Sequence, residues 1–144
     1  MIVREMTIAD IDDVLKIEQS IFPDPWSRES FLSAISSNTQ VFVVGEIDGR
    51  IVGFCGASFV LEQADIINIA VSTEYQGRSF GKMMLSHLLH FLEGACVDNI
   101  MLEVRVSNER AIALYQWFCF VDYGMRKEYY YDGEDALVMR KEFS

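Results

Sequence analysis

The segment from Asn68 to Lys82 carries the residue types best suited to chemistry. An apolar strand ends at Val71, a short loop follows, and Gln76, Gly77, Arg78, Ser79, Phe80, Gly81 and Lys82 open a helix. The first amides of a helix have no internal partners, and the helix dipole adds partial positive charge there. Such a start holds a phosphate where side chains stay small. Gly77 and Gly81 permit that approach, and Arg78 and Lys82 add charge. An ordinary glycine-bearing turn would contain the same pair, so spacing has to separate the possibilities. A Walker A loop places four residues between its first glycine and Gly-Lys-Ser/Thr, whereas three residues separate Gly77 from Gly81 and Met83 follows Lys82. A dinucleotide fingerprint needs a glycine two positions after the first, where this chain has Ser79. Nucleotide hydrolysis and hydride transfer both lose support.

Two more side chains qualify as acid or base. Alternation along Asn99 to Val106 sets Ile100, Leu102, Val104 and Val106 on one face and Met101, Glu103 and Arg105 on the other. That polar face is either a solvent face or, if this strand lies beside Asn68 to Val71, the border of the phosphate site, which makes Glu103 a candidate base. Tyr115 lies two helical turns beyond Asn108, so the two share a stripe of one helix. Core packing is the plainer reading of a helical tyrosine.

The elements that must position these groups are legible from periodicity and turn signals. Thr7 and Asp10 form a capping-box start to a helix reaching about Ser20, and Ser27 caps a short second helix. Gln40 to Glu46 and Arg50 to Val60 read as strands joined at Asp48 and Gly49. Asp65 to Val71 is a short apolar strand. Gly81 to Glu93 is an amphipathic helix with Gly94 as its C-cap, and Ala111 to Trp117 is another. Val121 to Tyr131 and Ala136 to Glu142 read as strands meeting at Asp132 and Gly133. The order predicts a mixed α/β (α+β) fold. Its sheet of about six to seven strands is mostly antiparallel, with a central parallel pair at Asp65 to Val71 and Asn99 to Val106, flanked by about four helices.

Composition is that of one globular domain spanning residues 1 to 144, with 51% hydrophobic and 24% charged residues. A net charge of −10 argues against direct nucleic-acid binding and suits a basic partner. No stretch has the length and apolarity of a membrane span, so a cytoplasmic monomer is expected. Cys55, Cys96 and Cys119 lack paired spacing and are expected to be buried thiols. His87, His90 and Glu93 share a helix face without a further ligand set, so no metal is expected.

Gln76, Ser79 and Gly81 match the Q/R-x-x-G-x-G/A coenzyme A loop of the GNAT acetyltransferases, with Ser79 in place of the middle glycine. Further motifs run nearly the length of the chain: Phe22 to Ser27, Asn68 to Val71, Leu102 to Arg105, Ser107 and Asn108 followed by Ala113 to Tyr115, and Glu134 to Ala136. In these the chain resembles one branch of that family, the bacterial ribosomal-protein-alanine N-acetyltransferases of RimI type.

The resemblance implies a GNAT fold and an acetyl-CoA-dependent N-acetyltransferase with direct transfer in a ternary complex. It implies cofactor contacts from Ile69, Ala70, Val71, the whole of Gln76 to Lys82, and Asn108. By the same resemblance Glu103 accepts the amine proton and Tyr115 protonates the departing thiolate. Those residue types suit the chemistry, because a thioester is attacked by a neutral amine and a thiolate leaves more easily beside a proton donor. The implied acceptor is a protein N terminus, the alanine of small-subunit ribosomal protein 18. Trp26, Tyr130 and Tyr131, with Tyr129, are candidates to wall its groove, unless the tyrosines are merely half buried on a strand. At Cys119 the family usually has glycine, and a left-handed backbone there would cost about 1 to 2 kcal/mol.

Overall fold

A computed structural model of the chain describes residues 1–143. In chain order the elements are β1 (Ile2–Glu5), α1 (Ile11–Ile21), α2 (Arg28–Ile35), β2 (Gln40–Ile47), β3 (Arg50–Val60) and β4 (Gln63–Val71). They continue with α3 (Phe80–Gly94), β5 (Asn99–Arg105), α4 (Glu109–Trp117), β6 (Val121–Arg126) and β7 (Ala136–Glu142). The strands form one sheet in the order β1-β2-β3-β4-β5-β7-β6, and β4 with β5 is its parallel pair. None of the described helices is long and apolar enough to cross a membrane.

Alternation on the central strands fills both faces of the sheet. Val41 and Val43 of β2 with Cys55 and Ala57 of β3 face one core, which α3 closes with Met84, Leu85, Leu88 and Leu92. Phe42, Val44 and Phe54 face the other, closed by Ile11, Val14 and Ile17 of α1 and Phe31 of α2. Each such fully buried large side chain contributes about 2 kcal/mol of apolar transfer free energy. The hairpin at Asp48 and Gly49 has φ of 49° and 77°, the paired left-handed geometry that suits a two-residue turn.

The parallel pair is far shorter than the periodicity predicts. Only Gln63, Ala64 and Asp65 pair with β5, opposite Asn99, Ile100 and Met101. Beyond them β4 stays with β3 and β5 with β7, so the two strands separate. A bulge at Ile67, between Ile66 opposite Ala57 and Asn68 opposite Gly56, changes which face β4 presents. Ala64 and Ile66 belong to the α3-side core, whereas Ala70 belongs to the α1-side core and Ile69 and Val71 turn toward α3.

Other expectations change too. The first helix begins as a 3₁₀ turn at Ile8–Asp10, and β1, too short to show a period, pairs antiparallel with β2 from Ile2 opposite Glu46 to Glu5 opposite Val43. Arg4 donates to both carboxylate oxygens of Asp10 at 2.8 and 2.9 Å and to Glu46 at 3.1 Å. That contact holds the Asp10 carboxyl below its usual value. Strand β6 ends at Arg126, so Tyr129, Tyr130 and Tyr131 lie in the β6–β7 connection rather than alternating along a strand, and Asp132 and Gly133 do not form a tight hairpin. Cys96 and Cys119 are exposed, and Cys55 alone is buried.

Gly94 is the last helical residue of α3 rather than its cap, and the left-handed residue is Cys96, at φ 68°. Helix α4 ends the same way at Cys119, at φ 69°. There the Cys119 amide donates to the Gln116 carbonyl and the Phe120 amide to the Tyr115 carbonyl, and the Phe120 ring packs 5.7 Å from Tyr115. This is a Schellman ending, which favours glycine at the left-handed position. Cys119→Gly is expected to add about 1 kcal/mol of stability and raise Tm by about 3 °C in thermal unfolding.

Candidate active site

An open cavity of about 700 Å³ lies where β4, α3, α4 and the end of α1 converge. Ile69, Ala70 and Val71 form one wall, Gln76, Gly77 and Ser79 to Lys82 its phosphate-suited end, and Asn108 with Leu114 the α4 side. Of the cofactor contacts expected from sequence, Arg78 alone does not line it; its guanidinium sits 5.5 Å over the Tyr75 ring.

The turn into α3 is held open by backbone geometry. Gly77 has φ 81°, and Gln76 is pinned by its Nε2 donating to the Val71 carbonyl at 3.0 Å. Ser79 caps α3 at φ 65° with no side-chain capping bond, and no acidic residue occupies the first turn. Phe80, Gly81 and Lys82 line the cavity, and their amides, at the start of the helix, have no capping side-chain acceptor. The glycine that Ser79 replaces would suit the backbone as well as the space, because the residue is left-handed. Gly81 lets α3 sit against the wall: a Cβ there would contact Leu114 at 3.7 Å and Ile69 and Val71 at 3.9 Å.

Glu103 and Tyr115 stand outside the cavity lining, with Glu103 just beyond the last residue of β5 that pairs with β4. Glu103 projects from the face of β5 opposite Leu102 and Val104, and Arg126 of β6 forms an ion pair with it, Nε to Oε1 at 3.2 Å. Tyr115 is buried against Phe120 in the α3-side core. Burial, with smaller effects from Cys55 and Tyr130, pushes its hydroxyl well above the ordinary tyrosine value, so it stays protonated. Cys55 lies on β3 opposite Ile69, and Tyr130 under the Arg105 guanidinium at 4.1 Å.

The residues expected on the acceptor side are dispersed. Trp26 packs its ring 5.2 Å from Phe31 and 5.6 Å from Phe42, chiefly as an anchor for its own loop. Tyr130 is half-buried beside Glu103, burial raising its hydroxyl to about 12, whereas Tyr131 is 71% exposed. The loop bearing Trp26 is tied to β4 through Glu18, whose buried carboxylate accepts from the Trp26 amide at 2.8 Å and from Asn68 Nδ2 at 3.0 Å. Burial raises that carboxyl, and the two donors oppose the rise. Glu18→Ala strands both donors and is expected to cost about 3 kcal/mol, read as a Tm fall of about 10 °C.

Sequence reasoning missed Ile21, Tyr75, Arg110 and Trp117, all on the cavity wall. Leu114 and Trp117 recur at helical spacing from Arg110, a signal that these three side chains share one stripe of α4. Lys82 Nζ lies 3.9 Å over the Trp117 ring. His87, His90 and Glu93 lie on the exposed face of α3.

Comparison with known proteins agrees with this geometry. Residues 11–119 match the model of the Acetyltransferase (GNAT) family. The chain is 41% identical over 139 residues, 95% of its length and 92% of the relative's, to a Bacillus subtilis protein provisionally described as a ribosomal protein bS18-alanine N-acetyltransferase. It is 35% identical over 140 residues, 95% of its length and 94% of the relative's, to the ribosomal protein bS18-alanine N-acetyltransferase of Escherichia coli. The crystal structure of the ribosomal-protein-S18-alanine N-acetyltransferase from Escherichia coli superposes with a TM-score of 0.91 at 34% identity, covering 99% of this chain and 94% of that one. A strand that parts from its neighbour beside an open helix start, matched by relatives over nearly all of the chain, is accounted for by one conclusion: the chain belongs to the GNAT acetyltransferase family and is an acetyltransferase.

Proposed function

We propose that the chain transfers the acetyl group of acetyl-CoA to the α-amine of an N-terminal alanine, that of small-subunit ribosomal protein 18, in the cytoplasm. The observation that carries the cofactor reading is the unfilled start of α3, where free amides, Gly77 and Lys82 face a cavity that runs along Ile69 to Val71. The 5′-diphosphate would lie on those amides, with Gln76 and Asn108 beside the chain that bears the thioester. Bound there, acetyl-CoA supplies the activated acyl group. The residues then orient it, keep water from it with Ile69, Phe80 and Leu114, and manage two protons.

Glu103 would take a proton from the incoming ammonium so that its nitrogen can attack the thioester carbonyl, and Tyr115 would give one to the sulfur that leaves and regain it as the nitrogen sheds its second proton. An α-amine with pKa near 8 costs about 1.4 kcal/mol to neutralise at pH 7, and a lysine amine near 10.4 costs about 4.6 kcal/mol. A modest base such as Glu103 suits the first task better than the second. Identity of 35–41% to relatives named for alanine acetylation supports the acceptor.

The test incubates the protein with acetyl-CoA and a basic peptide beginning with Ala, beside an N-terminally blocked copy containing Lys, and reads mass. A gain of one acetyl group on the free peptide alone is expected. Acetylation of only the blocked peptide would reject the α-amine assignment, and no transfer to any amine would favour a non-catalytic CoA-binding module.

A further inference from the structure

Acidic residues outnumber basic ones by 22 to 12 in this chain, so a guanidinium without a carboxylate is conspicuous. Of the eight arginines, Arg4, Arg28, Arg50, Arg105, Arg126 and Arg140 are ion-paired. Among the described residues the two left are Arg78 and Arg110, one following Gly77 in sequence and the other approaching it across the turn. Arg78 precedes the α3 start and rests on Tyr75, whereas Arg110 reaches over from the first turn of α4.

Arg110 is exposed, lines the cavity, and is aimed by a relay. Its Nη1 donates to Gln76 Oε1 at 3.2 Å while Gln76 Nε2 donates to the Val71 carbonyl at 3.0 Å. Its Nη2 lies 3.5 Å from where a side chain on Gly77 would begin, directly over the left-handed residue of the turn. One guanidinium edge is thus fixed on a neutral amide, and its other N–H groups remain for an anion. Planar guanidinium donors match phosphate oxygens in pairs, which a lysine ammonium cannot do.

We propose that Arg110 binds a phosphate of the cofactor from α4, opposite the amides of α3, so that the anion bridges two helices. This role rests on the assignment of CoA to the cavity. CoA carries two sources of the same chemistry, the 5′-diphosphate and the 3′-phosphate, and truncated ligands separate them.

The experiment titrates wild type, Arg110→Ala and Arg110→Lys with CoA, dephospho-CoA and phosphate-free pantetheine, following binding by calorimetry or NMR shifts. Arg110→Ala is expected to weaken CoA at least 10-fold and leave pantetheine unchanged, with Arg110→Lys recovering only part of the loss. An equal loss on dephospho-CoA assigns the contact to the diphosphate, and a loss confined to CoA assigns it to the 3′-phosphate. Unchanged CoA affinity in Arg110→Ala, or an equal loss on pantetheine, would overturn the role while the cofactor assignment stands. Failure of the wild-type chain to bind CoA at all would remove the cofactor assignment and this role together.

Discussion

Tyr115→Phe is expected to lower kcat about 10²-fold or more while changing the Kd for CoA less than twofold. The variant removes one hydroxyl and keeps the ring, so the packing against Phe120 and the Schellman ending of α4 survive. What is lost is the proton that meets the sulfur as the thioester opens, and positioned proton transfer of this kind contributes about 10² to 10⁴. Steady-state rates with CoA binding measured separately decide the matter, and an unchanged kcat would remove the role. A second outcome follows from the direction of the Tyr115 shift. A hydroxyl raised above the ordinary tyrosine value keeps its proton through and beyond pH 10, so the wild-type pH–rate profile should show no alkaline fall near pH 10 from this residue.

Glu103→Gln is expected to lose about 10²-fold in kcat/KM at pH 7 and to regain most of it as pH rises past the acceptor's own pKa. Glutamine cannot accept the ammonium proton, so the variant depends on the fraction of amine already neutral, which for an α-amine grows tenfold per pH unit below about 8. The same change removes the charge that pairs with Arg126 at 3.2 Å, but that guanidinium is 56% exposed and water compensates at little cost. Stability should therefore hardly move, which separates a lost base from a lost fold. A pH–rate profile parallel to wild type would dismiss Glu103 as the base.

Much of the fold was readable before any coordinates. Strand β3 and strand β7 have the predicted bounds, and the turn at Asp48 and Gly49 joins β2 to β3 as its residues demand. Those elements are set by local chemistry: apolar runs whose side chains alternate between two covered faces, and a turn whose two φ values are both positive. The expectations that failed depend on something non-local. Strand β1 exists because β2 offers it a free edge and Arg4 ties it to Asp10, and four residues carry no period of their own. The Tyr129 to Tyr131 run looks like strand because aromatics fit strands, yet the ladder with β7 ends at Arg126 opposite Ala136, and Tyr130 bonds within the turn to Gly133 and Glu134 instead.

The phosphate turn shows the same division. Gly77, Ser79 and Gly81 mark an anion-holding helix start because small residues and unpaired amides are properties of a few consecutive positions, and the surrounding motifs tied that start to coenzyme A. The sequence alone therefore pointed to the family to which the chain belongs, and it singled out the segment proposed to meet the cofactor. The tertiary structure decided where β4 leaves β5, because a bulge at Ile67 and the loss of pairing after Asp65 depend on which strands are neighbours. It also decided that Arg110 stands over Gly77, a contact between residues 33 positions apart that has no local signal. Backbone propensity acts over a few residues and is written in them, whereas an approach between helices is set by packing across the whole sheet.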